Sequence, residues 1–149
     1  MWDTSRMYWA IGIVVAISVA HALIGAAIAR RAYSQFTSRN STVDEWRRAF
    51  PGVAESKWEE FLSAFVNAFV LDRADAQKFR PDDKLLAIYR AKYPPRWSFA
   101  DCMEIENLSI EIERRYGLDI MPMFGESLTL GEIFRRIQEG EQSLAAESR

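Results

Sequence analysis

The chain has one cysteine and one histidine in 149 residues. A lone cysteine excludes an internal disulfide and suits a reducing compartment. One Cys and one His cannot close a metal site, and the carboxylates are scattered along helix faces, so metal-ligand spacing is absent. The histidine, His21, falls inside an uncharged apolar run, out of reach of any nucleophile in water. The few glycines make no phosphate-cradling loop, and no segment combines period-two alternation with turn residues, so strands and repeats are not expected. With no catalytic constellation left, the sequence predicts a protein that is not an enzyme.

What the chain does have is an uneven distribution of charge and apolar residues. The formal net charge is only −2, but after Arg31 there are 20 acids against 16 bases. Such a surface is a poor nucleic-acid ligand and suits a protein partner with a basic surface. From Tyr8 to Ala29 no charged residue occurs over 22 positions. As a helix that run is about 33 Å long, enough for a bilayer core. Trp2, Tyr8 and Trp9 stand at one edge as interface aromatics do, and Arg30 and Arg31 at the other. Only Arg6 precedes the run, so the positive-inside bias predicts a single-pass membrane protein with its N-terminus outside and the rest cytoplasmic. A cleaved signal peptide is the rival reading; the weak basic leader and the length of the run speak against it. Within the span Ser18, Ala22, Gly25, Ala26 and Ala29 form a small-residue face with His21 beside it, a candidate contact for a transmembrane helix partner. His21 is read as a neutral imidazole hydrogen-bonded to a nearby backbone group or serine; a relay or ligand role facing a partner helix is the alternative.

Downstream, helical periodicity dominates. Residues 1–31 are assigned to the anchor, 32–54 to a juxtamembrane linker with a short helix, 55–138 to a helical domain and 139–149 to a flexible tail. Capping-box spellings occur at Thr42–Glu45, Ser56–Glu59 and Thr129–Glu132. The stripe Trp58, Phe61, Leu62, Phe65, Val66, Phe69 and Val70 is spaced for a core-facing helix, as is Leu130, Ile133, Phe134 and Ile137. Leu71 to Arg80 reads as a charged connector, and Pro81-Asp82-Asp83 as the N-terminal turn of a short helix. Ser98 to Ile120 reads as a long amphipathic helix. Ser98 and Asp101 mark its start, Ile105, Leu108, Ile112 and Tyr116 its buried stripe, and Gly117 its left-handed end. Glu104, Glu106, Glu111 and Glu113 fill much of the remainder, a solvated face on which ordinary carboxylate chemistry is expected.

That helix resembles the second helix of acyl carrier proteins. Asp101-Cys102-Met103-Glu104 falls on the family's Asp-Ser-Leu-Asp, and Tyr116-Gly117-Leu118-Asp119-Ile120 on its aromatic-Gly-aliphatic-any-Ile ending. Thr129-Leu130-Gly131-Glu132 is similar to the start of the family's last helix. The resemblance covers roughly residues 55 to 138. It implies a small acyl-carrier-like bundle of three or four helices, so that with the single N-terminal transmembrane helix read above the expected fold is all-α. It also implies docking through the acidic helix, and it makes Cys102, with Asp101 and Met103, equivalent to the prosthetic-group position. The family's attachment serine is Cys102 here, Phe99 replaces a Gly, and Glu106-Asn107-Leu108 replaces Val-Glu-Leu. Phosphopantetheine forms its phosphodiester on a hydroxyl, so no cofactor is expected. Near a helix N-terminus the Cys102 thiol is favoured as thiolate, and the adjacent Asp101 opposes that. Three functions are compatible with these features: a docking or scaffold module, a tethered carrier of the fatty-acid or polyketide type, and a structural subunit of a membrane complex.

Overall fold

The computed structural model describes residues 4–93 and 103–147. Among the described residues six α-helices follow one another: α1 (Thr4–Thr37), α2 (Val43–Ala49), α3 (Glu55–Ala68), α4 (Leu85–Lys92), α5 (Met103–Tyr116) and α6 (Leu130–Glu147). Tight 3₁₀ turns occur at Arg73–Lys78 and Met121–Met123. There is no strand among the described residues; a single antiparallel bridge joins Lys84 to Thr129.

The segment Ile11–Thr37 of α1 is long and apolar enough to cross a membrane: its most apolar 18-residue stretch has a mean hydropathy of 2.4 and no buried residue. Ile11, Ile13, Val14, Val15, Ile17, Val19, Leu23, Ile24 and Ile28 are exposed on every side of the helix. A helix apolar all round and unburied has no soluble core to join. The sequence places a juxtamembrane linker from residue 32 onward, but α1 continues unbroken to Thr37. No Gly or Pro interrupts Ala32 to Thr37, and Phe36 gains a buried seat against Phe79, with ring centroids 6.3 Å apart. Residues within 32–54 contribute to the core: Phe36, Trp46 and Phe50 are all buried.

Trp46 of α2 is the centre of that core. Its indole contacts the rings of Phe50, Trp58, Phe61 and Phe134, at centroid separations of 5.6, 6.0, 6.1 and 5.7 Å. Its Nε1–H donates to the Phe79 carbonyl at 2.8 Å. The α3 stripe from Trp58 to Phe69, the α5 residues Ile105, Leu108 and Ile112, and the α6 residues Leu130, Ile133, Phe134 and Ile137 complete it, all buried as their spacing requires.

Two capping expectations fail and one holds. Thr42 makes no cap for α2; its buried hydroxyl faces the Phe79 and Gln77 carbonyls at 2.7 and 3.0 Å, binding α2 to the 3₁₀ turn. The α3 helix starts after Ala54 rather than Ser56, and Glu59 instead accepts from the Gln77 amide. At α6 the reciprocal box forms: Thr129 N–H donates to Glu132 Oε2 at 2.8 Å and Glu132 N–H to Thr129 Oγ1 at 3.2 Å. The expected tail from residue 139 onward is helical to Glu147, and Glu141 pairs with Lys57 of α3.

Val70 departs from its stripe. It is 72% exposed and left-handed, at φ 51°. The Leu71 N–H reaches back to the Val66 carbonyl at 2.8 Å, so Val70 occupies the C′ position of a Schellman end that normally takes glycine. A β-branched residue there is strained by about 1–2 kcal/mol. Val70→Gly in the full chain should stabilise the bundle by about 1 kcal/mol after glycine's greater freedom in the unfolded chain is deducted. Denaturant unfolding followed by tryptophan fluorescence checks this; a lower midpoint would show that Val70 is not strained.

A clamp joins the start of α4 to the end of α1 and the start of α6. Asp83, 7% exposed, accepts from Arg39 at 2.6 and 2.8 Å and from the Arg80 N–H at 2.7 Å. Its own carbonyl accepts from Leu130 N–H, while Gly131 N–H donates to the Pro81 carbonyl at 2.7 Å. A Cβ on Gly131 would lie 2.8 Å from that carbonyl oxygen, so this close approach needs glycine.

Candidate docking face on the fifth helix

The α5 helix is amphipathic in the manner its sequence predicts. Ile105, Leu108, Ser109 and Ile112 face the core, and Gly117 ends the helix at φ 66°, its N–H bonded to the Glu113 carbonyl. The outer face carries Met103, Glu106, Asn107, Ile110 and Glu113. Ile110 is 62% exposed and Met103 54%. The face is therefore apolar along its middle with carboxylates beside it, rather than uniformly acidic.

The four candidate glutamates are not equivalent. Glu106 and Glu113 are exposed, with no ion pair among the described residues. Glu104 is half-buried; one carboxylate oxygen is enclosed without a hydrogen-bond partner. Burial, then the neighbouring Glu104 carboxylate, pushes the Tyr93 phenol up to about 12. Glu111 is held below the usual carboxylate range by hydrogen bonds from Arg114, at 2.7 Å, and from Arg115. Arg115 also reaches Glu60 of α3 at 3.3 Å. Glu111 thus contributes to a neutral network that ties α5 to α3. The signal was in the sequence: Arg114 and Arg115 lie three and four residues on, the spacing at which helical side chains meet.

Cys102 and Asp101 lie outside the described residues, as do Ser98 and Phe99; Met103 opens α5. On α1, Ser18 Oγ donates to the Val14 carbonyl at 2.8 Å and His21 Nδ1 lies 3.1 Å from the Ile17 carbonyl. The Ser18 hydroxyl and one His21 ring nitrogen thus lie against carbonyls of their own helix. Ala22 and Ala26 are exposed, Gly25 has open space where a Cβ would stand, and the side chain of Ala29 lies outside the described residues. Among the described residues no group of three or more His, Cys, Asp or Glu could hold a metal ion.

The bundle also has an open groove between α3 and the 3₁₀ turn, lined by Leu62, Ser63, Val66, Ala74 and Gln77 among others. Its charged lining residues are Glu59 and Arg73. The residues that sequence reasoning missed are Arg39, Phe36 and Phe79: each makes its contact with a segment far along the chain, which no local pattern announces. No protein-family model matches the chain, and comparison with curated proteins and with solved structures likewise returns no match.

Proposed function

We propose that the protein is a single-pass membrane-anchored docking module, not an enzyme, with an acyl-carrier-like bundle on the cytoplasmic side. The partner binds the outer face of α5. The observation that carries this reading is the exposed Ile110 flanked by the unpaired carboxylates of Glu106 and Glu113. An apolar centre with charge at its edge suits a protein partner bearing basic residues around an apolar contact. The motif resemblance over residues 55–138 supports the same face, and the cysteine at the attachment position supports a module without phosphopantetheine. The arginines that follow the span support the orientation.

The test is a photo-crosslinking amino acid at Ile110 of the full chain in its native membrane. A discrete protein adduct is expected. Glu106→Lys with Glu113→Lys should reduce its yield several-fold, since edge charge sets encounter and partner choice. The same reversal at Glu139, on α6, should leave the yield unchanged. An adduct indifferent to the double reversal would sink the electrostatic part of the reading, and no adduct at all would sink the docking face.

A further inference from the structure

The bundle is fixed to α1 close to the polar end of the apolar span, and its surface there has an odd composition. One turn past Arg30 and Arg31, Tyr33 stacks under the Lys92 ammonium, 5.0 Å from its ring centroid. The next residue, Tyr93, donates its phenol hydrogen to the Phe69 carbonyl at 3.2 Å. Val70 follows Phe69 directly. Farther along α1, Phe36 meets Phe79, and Arg39 meets Asp83 at the start of α4. The α4 helix therefore runs antiparallel to α1. Its C-terminal end and the C-terminal turn of α3 share the level of Tyr33, while the clamp at Asp83 lies at the far end.

From Arg30 to Tyr33 the helix rises about 4.5 Å. The polar headgroup layer on one side of a bilayer is about 5–8 Å thick. The Tyr33 level thus falls within that layer if α1 crosses the membrane. At this level the bundle exposes Val70, a large aliphatic side chain turned outward on a left-handed backbone, with exposed Arg73 three residues on and half-exposed Lys92 nearby. The acids of this end are Asp75, paired with Lys78 at 2.8 Å, exposed Asp72, which accepts from the Ala74 N–H, and half-buried Glu104 beside Tyr93. Apolar tip plus flanking cations is the chemistry of a phospholipid interface.

We propose that the end of the bundle formed by the Val70 turn and the Lys92 end of α4 rests on the bilayer, with Val70 in the headgroup layer and Lys92 and Arg73 facing lipid phosphates. This rests on the reading that α1 spans the membrane. It adds a second, peripheral contact that fixes how the bundle lies on the surface.

Depth-dependent fluorescence quenching tests it. Single cysteines are introduced into full-length Cys102→Ala protein, labelled with a small fluorophore in detergent, and reconstituted into nanodiscs of phosphatidylcholine with phosphatidylserine. Nitroxide lipids quench either at the headgroup or deep in the acyl chain. Val19→Cys, in mid-span, reports the anchor itself and should be quenched by the deep probe. Val70→Cys should be quenched by the headgroup probe several-fold more than Ser127→Cys, which sits at the far end next to Leu128. Ala74→Cys, exposed on the same end as Val70, gives a second reading should Val70→Cys disturb the turn. A quenched Val19 label with Val70 and Ala74 labels no more quenched than Ser127 would overturn the surface contact and leave the anchor standing. An unquenched Val19 label would remove the anchor and the surface contact together.

Discussion

Trp46→Ala in the full chain is expected to cost about 3–5 kcal/mol, the range for deleting a large buried aromatic. Four aromatic rings surround this indole, on α2, α3 and α6. Alanine would leave a void among rings that are themselves pinned by other contacts and cannot collapse freely. The Phe79 carbonyl would lose its indole donor as well and retain only the Thr42 hydroxyl at 2.7 Å. Chemical denaturation in detergent, followed by near-ultraviolet circular dichroism, measures the loss. Trp46→Phe should recover part of it, because a ring is restored without the donor. An unchanged unfolding midpoint for Trp46→Ala would mean that α2 lies apart from the bundle, as the sequence had suggested for residues 32–54.

Asp83→Ala is expected to cost about 2–3 kcal/mol. Removing one partner of a fully buried ion pair costs about 3–5 kcal/mol, and Arg39 here keeps 21% of its side chain exposed, so water recovers part of the arginine's solvation. The Arg80 N–H loses its acceptor in the same change. Arg39→Met should cost at least as much, since the carboxylate it leaves unpaired is the more buried partner and keeps only the Arg80 N–H. Hydrogen exchange localises the effect: protection should fall at Leu85 and Leu130, whose N–H groups close the same junction. If Asp83→Ala and Arg39→Met unfolded at the same denaturant concentration as the parent protein, the junction would hold by apolar packing alone.

The regular part of this architecture was legible because periodicity reports it. Trp58 through Phe69 on α3, and the stripes on α5 and α6, are each read from spacing alone. Val70 was not, because the helical template cannot distinguish the last core position from the C′ residue that follows it; the clue would have been a glycine, which the sequence lacks there. Phe36, Trp46 and Phe79 sit in segments too short or too mixed for a period to show. Each finds its place through another segment tens of residues away. The Arg39–Asp83 pair is long-range in the same sense, so Asp83 read naturally as a helix-start acid. On α5 the four glutamates read alike, although i,i+3 and i,i+4 arginines already separated Glu111 from Glu106 and Glu113.

The unbroken passage of α1 into the bundle makes residue number a rotational coordinate. A helix turns about 100° and advances about 1.5 Å per residue. Inserting one residue between Arg31 and Tyr33 would therefore swing the whole bundle by about 100° around the helix axis while barely lifting it. A flexible tether would absorb such an insertion without effect. With this strut, the compass bearing of Ile110 relative to Gly25 is set by counting residues.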